Sequence, residues 1–141
     1  MTELIKLTPS SQYLDDTLKL TFNEWGKGDY EKFKEKAFNS LAHIFALVEN
    51  DKVVGCFVIR DNDISSHPHY SPNLACVCVD KNERGRGLSR ILLNGAIEIF
   101  KQMKLKKVYL KSSLKNYYEK FGFIPLNEVC EDGEQIYYMD V

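Results

Sequence analysis

The stretch RGRGLS places Arg84, Gly85, Arg86, Gly87, Leu88 and Ser89 between an apolar run, NLACVCVD, and an amphipathic run, GLSRILLNGAIEIFKQM. Glycines at a strand-to-helix turn reach backbone conformations closed to other residues, and they let a ligand lie against the chain. The first amides of a helix have no intrahelical partner and carry partial positive charge, so they favour an anion. Amides from Gly85 to Ser89 can therefore wrap a pyrophosphate, with Arg84 and Arg86 adding charge and the Ser89 hydroxyl one further bond. The loop lacks the Lys-Ser/Thr ending of a nucleoside-triphosphate loop and the three-glycine spacing of a dinucleotide fold. The competing reading is a tight turn with its arginines in solvent.

Charge is distributed to match an anionic ligand. Lys81 to Lys120 holds eleven basic and three acidic residues, so this stretch stands at +8 and the remainder at −9, for a net charge of −1. A compact polyanion suits the glycine loop, while Lys101, Lys104, Lys106 and Lys107 read as a solvated face. The neutral total, and the absence of a recognition-helix or RNA-sheet motif, give no nucleic-acid partner. A length of 141 residues suits one domain over 1–141, and 44% hydrophobic with 28% charged residues is ordinary for a globular protein. No apolar run approaches the ~20 residues of a membrane span. MTELIKLTPSSQ reads as neither a secretory signal nor a transit peptide, so a cytoplasmic address without a membrane partner is expected. Cys56, Cys76, Cys78 and Cys130 read as small buried hydrophobes. Cys76 and Cys78 share one strand face by alternation, no Cys or His set has zinc spacing, and no metal is expected.

The elements that must position the loop follow from periodicity. LIKL reads as a first strand, and a helix runs from about Ser11 to Glu24 with Ser10 or Ser11 as its cap. Asp29 caps a second helix through YEKFKEKAFNSLA, where Phe33, Ala37 and Leu41 recur at helical spacing. HIFALVE and VVGCFVIRD form a hairpin around NDK. DISSHPHYSP is a loop, and NLACVCVD is a central buried strand. In the long helix Leu88, Ile91, Leu92, Gly95, Ala96, Ile99 and Met103 form the apolar stripe. KKVYLK is a strand, SLKNYYEKFG a serine-capped short helix closed by Gly122, and FIPLNEV and QIYYMDV are the last strands. The order β-α-α-β-β-β-α-β-α-β-β makes a mixed α/β domain around one sheet. Its exposed C-terminal strand offers an edge on which a homodimer could pair.

VCVDKNERGRGLSRILL resembles the acyl-coenzyme A signature of the GNAT superfamily of N-acetyltransferases, Arg/Gln-x-x-Gly-x-Gly/Ala just after a strand. Arg84 and Gly87 match it, and Ser89 stands where Gly or Ala is usual. NYYEKFGF resembles the second hallmark, a helix ending in Tyr-Glu-Lys-x-Gly-Phe, at the expected distance. FNEWGKGD, DKVVGCFVIRDNDI, YSPNLACVCV and KVYLKSS are similar, in order, to one group of small GNAT proteins. In that group EWG ends the first helix and PWLA opens the central strand; here Asn73 replaces the tryptophan. The resemblance covers nearly the whole chain. It implies the single-domain GNAT α/β fold, a mixed central sheet flanked by helices, with acetyl-CoA as co-substrate and no metal. By position it implies that Val77, Cys78 and Val79 meet the acetyl-pantetheine arm through backbone bonds, and that Arg84, Gly85, Arg86, Gly87, Leu88 and Ser89 hold the pyrophosphate. It also implies that the central strand splays from KVYLK and that the cofactor enters the gap like an extra strand, a sequence-tolerant mode.

The implied chemistry is attack by an amine on a thioester. The amine must first lose a proton, the carbonyl oxygen gains charge that a strand amide near Cys78 or Val79 can stabilise, and the departing thiolate needs a proton. Tyr118 matches the motif tyrosine and is the candidate donor, since a phenol of reference pKa ~10 stays protonated at neutral pH; the alternative is that it only packs. Tyr117 reads as core. Glu24, in the EWG turn that borders the acceptor pocket in this superfamily, is the first candidate base. Asp63, His67, His69 or a water chain are the alternatives. Phe22, Trp25 and Tyr30 either line an aromatic pocket or belong to the core. The expected activity is acetyl-CoA-dependent transfer to a primary amine of a small molecule or protein; the alternative is a non-catalytic acyl-CoA-binding or sensing module on the same fold.

Overall fold

The computed structural model describes residues 1–37 and 43–141. Strand β1 (Thr2–Lys6) pairs antiparallel with β2 (His43–Glu49), with Thr2 opposite Glu49 and Lys6 opposite Phe45. Helix α1 (Leu14–Trp25) starts later than expected and has no serine cap; Tyr13 stands at its N-cap without a side-chain bond. The serines are used one turn earlier. Ser11 Oγ accepts the Thr8 N–H at 2.8 Å, and the Ser11 N–H donates to Thr8 O at 3.1 Å, so the turn around Pro9 absorbs them. Helix α2 (Tyr30–Lys36) is capped by Asp29 as expected, its side chain accepting the Glu31 N–H at 3.4 Å. The expected continuation through residues 38–42, Leu41 included, lies outside the described residues.

Asn50 and Asp51 hold φ of 51° and 60°, the left-handed pair a two-residue hairpin turn requires and these side chains tolerate. They join β2 to β3 (Lys52–Arg60), and both strands are buried along nearly their whole length. Strand β4 (Asn73–Val79) leads through a 3-10 turn, Lys81–Glu83, to α3 (Leu88–Gln102). The stripe of α3 is rotated from the expected one. Ile91 is 42% exposed, whereas Leu93 and Phe100 are fully buried beside Leu88, Leu92 and Ala96. Strand β5 (Lys107–Ser112) follows. The expected serine-capped helix shrinks to a 3-10 turn, Tyr118–Phe121. Ser112 Oγ instead accepts the Leu114 N–H at 3.0 Å, and Asn116 at φ 59° keeps the chain out of a helix. Gly122, at φ 97°, closes the turn as expected.

Strands β6 (Ile124–Val129) and β7 (Gln135–Asp140) complete a seven-stranded mixed sheet of order β1-β2-β3-β4-β5-β7-β6. The C-terminal strand is thus not the free edge that the sequence suggested. β7 lies between β5, with Lys107 opposite Asp140, and β6. The outer strand β6 carries Pro125 and a register shift between Pro125 and Val129, both features that blunt an edge against pairing. The side-chain amide of Gln135 donates to the Leu126 and Glu128 carbonyls across that shift.

The chain divides into two compact units, residues 1–58 with 76–92 and residues 59–75 with 93–141. The first is built on Leu7, Leu14, Leu18, Ile44, Ala46, Val48, Val53 and Val58. The second contains Ile64, Cys130 and Ile136, with Tyr70, Tyr109 and Leu126 against them. No helix among the described residues is long and apolar enough to cross a membrane.

Candidate functional site

In the first unit, Asp80 ends β4 by donating its amide to Val54 O at 2.9 Å and accepting the Asn82 N–H on Oδ1 at 2.9 Å. The glycine loop follows at once. Gly85 and Gly87 hold φ of 84° and 77°, and a Cβ built on either meets no atom within 4 Å. Glycine is therefore required there for conformation rather than clearance, and the space against the loop backbone is open. Because α3 starts at Leu88, the Leu88 and Ser89 amides lie in its first turn, which lacks internal acceptors.

The arginines are not loose in solvent, as the plain-turn reading has it. Arg84 donates from Nη2 to Glu24 Oε1 at 2.7 Å and from Nε to Val79 O at 3.1 Å. Arg86 forks onto Glu49 at 2.7 and 2.9 Å and reaches Glu83 at 2.8 Å. Bonding to Glu49 is the main cause that raises the Arg86 pKa. The Arg84 side chain is 54% exposed and that of Glu24 37%. A pair so placed is worth about 0–1 kcal/mol, so a ligand carrying several phosphate charges can displace Glu24 from the guanidinium. The structure thus brings Glu24 together with Arg84 and Val79, three residues singled out in the sequence.

Upstream, Cys78 is buried and Val77 and Val79 are half-buried. Cys76 holds φ 55° inside β4. A left-handed residue other than Gly, Asn or Asp in a strand is an outlier of the kind that gathers at functional sites. It interrupts the alternation by which Cys76 and Cys78 were assigned one face. Cys56 Sγ donates to Cys76 O at 3.7 Å, and a Cβ on Gly55 would stand 3.0 Å from Cys78 O and 2.8 Å from Leu92 Cδ1. Glycine at 55 therefore allows β3 its close approach to the turn in β4. Burial pushes the Cys56 thiol up to about 12, and burial followed by the Glu24 charge pushes Cys78 up to about 11. Both thiols keep their protons at neutral pH, which removes them as nucleophiles.

In the second unit, Tyr118 is 8% exposed. Its ring stands edge-on to Tyr117 at 5.0 Å and to Phe123 at 5.9 Å, with Tyr137 at 6.1 Å. Burial first, and then Tyr117, raises its pKa well above the usual phenol range, so it holds its proton at neutral pH. The other base candidates belong to this unit as well. Asp63 is raised by burial, against the lowering effect of Arg60. His67 stacks on Tyr70 at 5.2 Å, shares a hydrogen bond between its Nδ1 and Ser66 Oγ at 2.8 Å and lies 4.0 Å from Glu128, while His69 packs on Tyr70 at 4.5 Å. Of the aromatic set, Phe22 and Tyr30 pack on each other at 5.5 Å, Tyr30 lies at the core's margin, and Tyr30 OH donates to Asp15 Oδ1 at 2.6 Å. Trp25 is 54% exposed.

Features of several kinds escaped sequence reasoning. The turn at Cys76 has no signal, because cysteine does not mark positive φ. Asn73, fully buried, accepts the Asp63 N–H at 3.1 Å and donates to Tyr70 O at 2.8 Å, so it clamps the loop before β4. Cys130, Asp132 and Glu134 bring a thiol and two carboxylates within 4.8 Å of one another; the spacing C-x-D-x-E is its only trace in the sequence. The group is bonded internally, with Cys130 Sγ donating to Asp132 Oδ1 at 2.5 Å.

The sequence profile of the Acetyltransferase (GNAT) family matches residues 10–123. No curated protein matches the chain significantly. Among solved structures, Escherichia coli ElaA is 24% identical with a TM-score of 0.74, covering 99% of this chain and 100% of its own. PaiA N-acetyltransferase from Thermoplasma acidophilum, solved in complex with coenzyme A, is 16% identical with a TM-score of 0.70, covering 100% and 99%. A GNAT family acetyltransferase from Elizabethkingia anophelis with acetyl-CoA bound is 16% identical with a TM-score of 0.68, covering 99% and 98%. At these identities the likeness is one of fold, and the matched profile extends over most of the chain. The protein belongs to the GNAT acetyltransferase family.

Proposed function

We propose that the protein is an acetyl-CoA-dependent N-acetyltransferase that passes an acetyl group to a primary amine by direct attack. The observation that carries this reading is the loop. Two positive-φ glycines with open space against them stand before the first turn of α3, beside an arginine whose Nη2 is paired with a half-exposed carboxylate and whose Nε is anchored on Val79 O. The diphosphate of coenzyme A would lie on the amides of residues 84–89, with Arg84 released from Glu24 to bind it. Val77, Cys78 and Val79 would offer backbone bonds to the pantetheine arm, and the amide near Cys78 or Val79 a bond to the thioester oxygen. Coenzyme complexes of the same fold, in the Thermoplasma acidophilum and Elizabethkingia anophelis proteins, support this assignment.

The amine nitrogen forms a bond to the acetyl carbon as the carbon–sulfur bond breaks. The amine's proton goes to Glu24, directly or through water, and Tyr118 returns a proton to the departing sulfur. Displacing Glu24 from Arg84 frees its Oε1 to accept that proton, so cofactor binding would open the base to the amine. The test is release of free thiol from acetyl-CoA against polyamines, aminosugars, arylalkylamines, amino acids and peptides. Saturable thiol release with at least one amine, matched by acetylated product, is the expected result. Tight acetyl-CoA binding without release across the panel would instead describe a binding module.

A further inference from the structure

We infer that a cleft in the second unit, bounded by residues 112–119 and the β6–β7 turn, binds the ammonium of the acceptor through Glu119. The cleft has a volume of about 460 Å³, and Glu119, Tyr137, Gln135 and Lys115 are among its lining residues. That volume is within the range of small-ligand sites. Glu119 Oε1 is buried without a hydrogen-bond partner. A buried acceptor left without a donor is costly, more so when charged.

Two of the donors that line the same space are committed elsewhere. Tyr137 OH donates to Leu114 O at 2.9 Å, and Gln135 Nε2 to the Leu126 and Glu128 carbonyls. Lys115 stands exposed, and among the described residues Glu119 forms no ion pair. Burial, and then the charge of Glu119, raises the Tyr137 phenol, in keeping with a carboxylate beside that ring. What the oxygen lacks is an N–H donor with positive charge, which a primary ammonium supplies in one group. Glu119 follows Tyr118 in the chain, and the Tyr137 ring lies 6.1 Å from that of Tyr118, so the cleft adjoins the candidate proton donor. The role as acceptor site rests on the transferase reading; the affinity for an ammonium does not.

The experiment is an NMR titration of the full chain with n-butylammonium and, separately, with n-butanol, its uncharged counterpart. The expected result is saturable shifts of amides in residues 112–119 and 133–137 with the ammonium alone. Glu119→Gln, which keeps the shape, should weaken the ammonium at least tenfold, and Lys115→Glu, on the exposed rim, should tighten it severalfold. In thiol-release assays Glu119→Gln should raise the amine KM while leaving acetyl-CoA affinity unchanged. Equal shifts with butanol, or unaltered affinity in both variants, would mean that the oxygen is satisfied by water and would overturn the inference. Ammonium binding lost in Glu119→Gln, in a protein that acetylates no amine, would uphold the cleft and defeat only the transferase reading.

Discussion

At the scale of single residues, the account turns on Gly87, Tyr118 and two buried thiols. Gly87→Asp places a carboxylate in the open space against the loop and forces a strained φ of 77° on a side chain. Acetyl-CoA affinity should fall at least a hundredfold by calorimetry, with the far-UV spectrum retained. Tyr118→Phe keeps the ring and its packing and removes the proton, so kcat should drop about 10²-fold with little change in acetyl-CoA affinity. Wild-type kcat would leave Tyr118 a packing residue. Cys56 and Cys78, pushed up to about 12 and about 11 by burial, should resist iodoacetamide in the native protein and react on unfolding. The loop was legible in the sequence because its chemistry is local, glycine and arginine types at a strand end. Cys76 was not legible, since a left-handed backbone at a cysteine carries no local sequence signal. Glu119 was missed for a related reason: its sequence neighbours do not show which donors the β6–β7 turn uses up.

At the scale of elements, α3 shows what periodicity can and cannot settle. Spacing gave the helix and its apolar character, but several overlapping stripes fit the same residues, and only tertiary packing chose the one through Leu93 and Phe100. Leu92→Ala, at a fully buried position, should cost about 2–5 kcal/mol. Ile91→Ala, at a position 42% exposed, should stay within about 0.5 kcal/mol; urea midpoints of the two variants check this. The hairpin at Asn50 and Asp51 was readable because turn chemistry is short-range. The interior position of β7 was not, because strand order depends on pairing between distant segments. Asn73 belongs at this scale too. Asn73→Ala removes both bonds to the 61–72 loop and strands the Asp63 N–H and the Tyr70 carbonyl, which should cost about 1–3 kcal/mol and speed amide exchange in that loop.

For the whole molecule, stability against acid follows from carboxylates held in the fold. Asp15 is lowered to about 2, mainly by the Tyr30 hydroxyl, and Glu131 to about 2, mainly by the Ser65 hydroxyl. Their folded values lie below the unfolded range of ~4, so their contribution is complete above that range and is lost as pH falls through about 2. Asp63 has the opposite sign, because burial raises it, so it opposes folding as it ionises with rising pH. The urea midpoint should therefore decline from pH 5 to pH 2, and the joint variant Asp15→Asn, Glu131→Gln should flatten that decline. The family fold was legible in full outline because two short motifs and the element order agree, whereas the acceptor leaves no comparable trace in the chain. The most direct test of the central claim is a crystal structure with coenzyme A bound. The account predicts diphosphate density on the amides of residues 84–89, with Arg84 turned from Glu24 toward it. Density for the diphosphate elsewhere, with the Arg84–Glu24 pair intact, would contradict it.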